Sequence, residues 1–241
     1  QIQLRDYGAA RLIGCELLPS RYDAVTVAFG GHGELVTSAD ALPQALQGHS
    51  IAVQYKPILF AALLQANGQK GPAEIPGKRE WTYRQVLWSA QQLGIPMALP
   101  KAHPFNPLAL LRALLAGADA SGCVNRYLTG LAFDHVWREG ADAADPVRIK
   151  DFSAQIAAHC EASGRALVEA DDVKTQLRRN TEDALALDVF GVPTAHIEGH
   201  NFWGADGLAM LTDYLSHPEW FLSDEYQRVG ELPIGVSRQG A

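Results

Sequence analysis

The chain has 241 residues, with 20 Lys and Arg against 27 Asp and Glu, a formal charge of −7, and 47% hydrophobic and 20% charged residues. That length is enough to bury a substantial core as one large domain or two small ones. The acidic balance supplies no basic face for a nucleic acid, no Lys/Arg run makes a polybasic membrane patch, and no apolar stretch approaches the roughly 20 residues of a spanning helix.

Residues 1–22 show no clear period and are left unassigned. Asp23–Phe29 is β-branched and apolar and stops at Gly30-Gly31, as a buried strand entering a loop does. Glu34–Gln47 reads as a helix ending at Gly48, with Pro43 as an objection. Ile51–Tyr55 follows as a second strand, which completes a βαβ unit. From residue 59 to 188 the pattern is helical. Arg79–Leu93 places Tyr83, Leu87, Ala90 and Leu93 on one face, and Trp81, Trp88 and Trp137 read as core residues. Asn106-Pro107 and Asp145-Pro146 each open a helix with a capping side chain and a Pro at the first helical position. Ile149, Phe152, Ile156 and Cys160 line the second of these until Gly164, and Asp171–Asp188 forms a more polar helix. Val192–Ile197 and Asn201–Trp203 flank a short turn, as in an antiparallel hairpin, and Gly207–Leu215 closes as a helix. The tail after Pro218 is expected to pack over the surface.

The order is that of an α/β, thioredoxin-like fold (βαβ…ββα) with an inserted all-helical domain. Residues 23–58 and 189–241 form the discontinuous thioredoxin-like domain, and 59–188 the insert. The three cysteines, Cys15, Cys123 and Cys160, are widely spaced and contain no C-x-x-C, which fits neither a disulfide framework nor a zinc site. Each reads as a small buried apolar residue. His196, His200 and His217 lack the Cys or carboxylate neighbours of a metal site, so no metal is expected. With no basic segment leading into an apolar one at the start, the expected location is cytoplasmic.

Phe190-Gly-Val-Pro-Thr194 is the most informative pentapeptide. A Pro at a strand entrance cannot donate to the ladder. Ahead of a hairpin in such a sheet it suggests a cis Val192–Pro193 bond that turns the Val192 N–H and C=O toward an extended peptide ligand. An ordinary trans Pro is the plain alternative.

That pentapeptide and Phe202-Trp-Gly-Ala-Asp206 resemble the C-terminal half of the 2-hydroxychromene-2-carboxylate isomerases, which belong with the kappa-class glutathione transferases in the DsbA-like branch of the thioredoxin superfamily. The resemblance extends through Tyr55-Lys-Pro-Ile-Leu59, Ile75-Pro-Gly-Lys-Arg79, Phe105-Asn-Pro-Leu108, Arg179-Asn-Thr-Glu182 and Leu232-Pro-Ile-Gly-Val236, in unbroken order over about 41–236. It implies glutathione as cofactor. Val192 would pair its backbone with the cysteinyl part, Pro193 would shape the turn, Asp206 would accept the γ-glutamyl ammonium group, and Lys78 would contact glutathione. Asp206 is equally a good helix cap, and Lys78 equally a solvated surface charge. Asn106 would reach the substrate, cap its helix, or both, and Trp203 would floor the pocket. Where family members often carry Asp-Arg, this chain has Asp206-Gly207.

The family's Ser-Pro-Tyr-like motif, whose hydroxyl faces the glutathione sulfur, is absent, and residues 1–40 match poorly. Ungapped counting places His32 at the Ser position, as the candidate catalytic group. The alternatives are a site that binds without turnover, a first 40 residues that differ from the natural gene product, and a plain loop histidine at 32. The expected activity is glutathione-dependent cis-trans isomerisation of 2-hydroxychromene-2-carboxylate-type intermediates in aromatic catabolism. A kappa-like transferase and a non-catalytic glutathione-binding protein are the alternatives. A small aromatic substrate is the expected partner, with neither nucleic acid nor membrane, and the family has precedent for a homodimer.

Overall fold

The computed structural model describes residues 53–92, 94–204, 207–233 and 235. The expected strand 23–29, the helix 34–47, Ile51 and Ala52 of the second strand, Cys15, His32, Leu93 and Asp206 lie outside the described residues; Val53–Tyr55, the rest of that second strand, are not strand and carry only an isolated bridge at Tyr55.

Among the described residues six α-helices precede the sheet: α1 (Phe60–Ala66), α2 (Lys78–Gln92), α3 (Leu108–Leu115), α4 (Arg126–Trp137), α5 (Pro146–Ala162) and α6 (Ala170–Ala186). Strands β1 (Thr194–Ile197) and β2 (His200–Trp203) follow, then α7 (Gly207–Ser216) and the short α8 (Asp224–Gln227) between 3₁₀ turns. In the helical region the described residues hold no strand, only an isolated bridge between Tyr55 and Val124.

The central core is built on α3, whose sequence Leu108-Ala-Leu-Leu-Arg-Ala-Leu-Leu115 buries Leu110, Leu114 and Leu115 against α4, α5 and α6. Helix α5 begins as expected. The Asp145 carboxylate accepts from the Val147 and Arg148 N–H groups at 2.9 and 3.0 Å, Pro146 occupies the first turn, and Phe152, Ile156 and Cys160 are buried. Pro107, by contrast, lies just ahead of α3 rather than inside it, while the Asn106 side chain accepts from Leu108 N–H at 3.1 Å.

Helix α2 turns a different face inward from the one expected. Thr82, Val86, Ser89 and Ala90 are buried, whereas Leu87 is exposed. Thr82 Oγ1 donates to the Lys78 carbonyl of its own helix, so its hydroxyl is satisfied without leaving an apolar interface. Trp81 (66% exposed) and Trp88 (57%) therefore stand in solvent instead of the core, and Trp137 alone of the three is buried.

Helix α6 carries a polar clasp. The fully buried Asn180 donates through Nδ2 to the carbonyls of Pro57 and Gly122 at 3.1 and 2.9 Å, and accepts from Gln176 Nε2 at 2.8 Å. Thr181 Oγ1 accepts from Leu59 N–H at 3.0 Å and donates to the Leu177 carbonyl. Leu63, Ala184 and Val189 pack beside this seam.

The hairpin pairs Thr194 with Trp203 and Ile197 with His200. Its turn is only two residues, Glu198 and Gly199, both at positive φ (48° and 85°), the backbone that suits a tight hairpin. The strands begin at Thr194 and His200 rather than Val192 and Asn201, because Val192 and Pro193 are diverted into a loop. The tail does more than cover a surface. Phe221 is completely buried with Phe202, Leu211 and Tyr214, with Tyr226 packed alongside.

Candidate functional site

The site is built where α6 hands the chain to the sheet. The Val192–Pro193 bond is cis. Thr194 Oγ1 donates to the Gly191 carbonyl at 2.8 Å, and Gly204 N–H donates to the Pro193 carbonyl at 2.9 Å, so the residues on both sides of Val192 are tied down. Among the described residues the N–H and C=O of Val192 itself have no hydrogen-bond partner. Val192 is half-buried and Pro193 exposed. A donor and acceptor of this kind can take one added strand of peptide. Trp203 lies beneath: its ring meets Phe190 edge-on with centroids 5.1 Å apart, and Gly191 rests on the indole.

A second group of residues gathers at the start of α2 and the 100–107 loop. Lys78 is exposed on the first turn of α2, and Asn106 is exposed at the entrance to α3. Further along α2, Tyr83 Oη lies 2.7 Å from His103 Nδ1 and 3.2 Å from the His103 carbonyl. The Arg79 guanidinium sits 5.1 Å from the Tyr83 ring centre, in cation–π range. Burial, and secondarily the Arg79 charge, lower the His103 pKa to about 4, while burial raises that of the Tyr83 hydroxyl. The imidazole is therefore neutral near pH 7. Either Tyr83 donates to Nδ1, or Nδ1–H donates to Tyr83 and the phenol donates to the carbonyl.

The structure thus brings Val192, Pro193 and Trp203 together, and separately links the segments of Lys78 and Asn106. Sequence reasoning missed Tyr83, Arg79 and His103 as a group, as well as a second cis bond at His103–Pro104. The run His103-Pro104-Phe105-Asn106 carried a signal in its density of ring-bearing residues, but Tyr83 lies 20 residues away. The histidines set aside as metal ligands have other contacts. His196 Nδ1 pairs with Asn201 Oδ1 at 2.8 Å, His217 with Asp213 at 3.1 Å, and His200 lies among aromatic rings, closest to Tyr214. No group of three metal-ligating side chains occurs among the described residues, and none of their helices is long and apolar enough to cross a membrane. Cys123 and Cys160 are buried free thiols.

The profile of the DSBA-like thioredoxin domain matches residues 37–216, and the chain belongs to that family. Within it, the chain is similar to glutathione S-transferase kappa 2 of Caenorhabditis elegans, 29% identical over 182 residues that cover 69% of this chain and 79% of the relative. It is also similar to 2-hydroxychromene-2-carboxylate isomerase of Pseudomonas putida, 25% identical over 173 residues, 70% and 82% of the two chains. A solved 2-hydroxychromene-2-carboxylate isomerase superposes with a TM-score of 0.51 at 20% identity, covering 85% of this chain and 95% of that one, a likeness of fold. The named relatives are enzymes, and the fold found is the thioredoxin-like one expected from the element order, of the DsbA-like branch that the resemblance implied.

Proposed function

We propose that the chain is a glutathione-dependent cis-trans isomerase of 2-hydroxychromene-2-carboxylate-type intermediates. Residues 23–58 and 189–241 would carry the thiol site, and the helical 59–188 would face the aromatic substrate. The observation that carries this reading is the N–H and C=O of Val192 beside Pro193, which have no partner among the described residues. That pair fits the cysteinyl backbone of glutathione, a short extended peptide. Bound there, glutathione would supply the thiol that adds reversibly to a conjugated double bond and so permits its rotation.

The chain's own part is to bind and orient. The Val192 peptide pairs with the cofactor backbone and Pro193 shapes the turn. Lys78, an exposed cation, attracts a carboxylate, and Asp206 accepts the γ-glutamyl ammonium group. Asn106 faces the aromatic substrate while its Oδ1 accepts from the Leu108 N–H at the start of α3, and Trp203 floors the pocket. His32, by its place in the sequence, would donate toward the sulfur.

Purified protein mixed with the chromene substrate is expected to show an absorbance change that requires glutathione and leaves its concentration unchanged. Folded, glutathione-binding protein without turnover would rule the isomerase out in favour of a binding protein. Equal turnover in His32→Ala would remove His32 from the chemistry. A kappa-like transferase is the second reading, favoured by the higher identity to the nematode relative; consumption of glutathione with an electrophile would establish it.

A further inference from the structure

The loop that presents Val192 rests on an unusually close contact. A Cβ built on Gly191 would lie well inside van der Waals contact distance of Trp203 Nε1 and 2.9 Å from both Cδ1 and Cε2. Only the hydrogen of a glycine fits there. Phe190 closes on the same indole from the side. Trp203 Nε1 is buried and has no hydrogen-bond partner among the described residues. Among the described residues, therefore, the ring is held by its shape and not by its polar atom. Trp203 is also the register partner of Thr194, whose hydroxyl ties the Gly191 carbonyl. The indole, the Thr194 hydroxyl and the Gly204 N–H together hold Gly191 and Pro193, the residues on both sides of Val192, whose own N–H and C=O have no partner among the described residues.

We propose that Trp203 is a positioning residue whose contact with Gly191 sets the plane of the Val192 peptide, and with it the alignment of the two hydrogen bonds offered to glutathione. The inference rests on the glutathione reading above. Hydrogen bonds weaken steeply once the donor angle falls below about 120°, so a tilt of this peptide disables the pair without unfolding the chain.

The test is calorimetric titration of glutathione into wild type, Gly191→Ala, Trp203→Phe and the double variant, each confirmed as folded at the assay temperature by circular dichroism. Gly191→Ala is expected to raise Kd about tenfold, the effect of one lost hydrogen bond. Trp203→Phe is expected to raise it about threefold or more, through a less constrained loop. The double variant is expected to bind about fivefold more tightly than Gly191→Ala, because the smaller ring admits the added methyl. A Kd unchanged in either single variant overturns the proposal, as does a double variant no tighter than Gly191→Ala. A contact that matters only for stability would lower Tm and leave the Kd of folded protein alone, which also overturns it. Should Gly191→Ala fail to fold, the Kd of Trp203→Phe decides alone. Wild type that does not bind glutathione overturns both this proposal and the functional reading. Wild type that binds, with variants that bind equally well, overturns this proposal only.

Discussion

Acidification acts on the Tyr83–His103 contact in a calculable way. Burial, with help from Arg79, holds the His103 pKa at about 4 in the folded chain against 6.5 for an unperturbed histidine. Between those two values the unfolded chain has taken up the imidazole proton and the folded chain has not, so stability rises with pH across the window. The contribution is complete above pH 6.5, is lost progressively as pH falls toward 4, and changes no further below that. For one proton the slope cannot exceed about 1.4 kcal/mol per pH unit, and the full window is worth about 3 kcal/mol. His135 and His159 are also pulled downward by burial and add to the wild-type slope. The informative quantity is therefore the difference from His103→Asn, which keeps a hydrogen-bonding group beside Tyr83 but does not titrate. Urea unfolding from about pH 7.5 down to about pH 4 should show wild type losing about 2–3 kcal/mol more than the variant, most of it below the unfolded pKa. A stability gap that is independent of pH would refute the argument, because it would mean the imidazole is as well solvated in the folded chain as in the unfolded one.

Two further changes test the scaffold under the site. Asn180→Ala removes three hydrogen bonds and strands the Pro57 and Gly122 carbonyls in the interior. The expected loss is about 3 kcal/mol, or roughly 6–12 °C in Tm; a loss under about 1 kcal/mol would mean water replaces the amide there. Asp145→Ala deletes the cap of α5 and should cost about 1 kcal/mol by chemical denaturation. Restoration by Asp145→Ser would attribute that cost to capping rather than to charge.

Legibility in the sequence followed the range of the forces involved. Helix α5 was readable because its cap, its Pro and its stripe of Phe152, Ile156 and Cys160 all lie within 17 residues and agree. The hairpin was readable because Gly199 and the flanking strands are local, and Pro193 because a proline at a strand entrance has few uses. The buried face of α2 was not, since Thr82 and Ser89 are small polar residues whose burial hydropathy does not flag. Helix α4 was not singled out either. Its Asn125 cap, which accepts from Leu128 N–H at 2.9 Å, stands before a segment without a strong apolar stripe. At the candidate site, Val192 stood out in the sequence because a proline follows it ahead of the hairpin, and Trp203 because it stands near Asp206 at the end of the second strand. The Tyr83–His103 pair did not, because their meeting depends on how α2 packs beside the 100–107 loop. Asn180 and Thr181 were visible only as part of a resemblance, and their polarity serves the interior of the fold.

The clasp of α6 has a consequence for how much the chain can change. Thr181 and Leu59 lie 122 residues apart, so the bond between them closes a very long loop. The entropy of such closure grows only logarithmically, and doubling the enclosed length costs about 0.6 kcal/mol more. Asn180 and Thr181 are therefore nearly indifferent to how many residues they enclose. Turns inside the helical block can lengthen or shorten, reshaping the surface offered to a second substrate, while the seam that delivers the chain to Val192 stays closed.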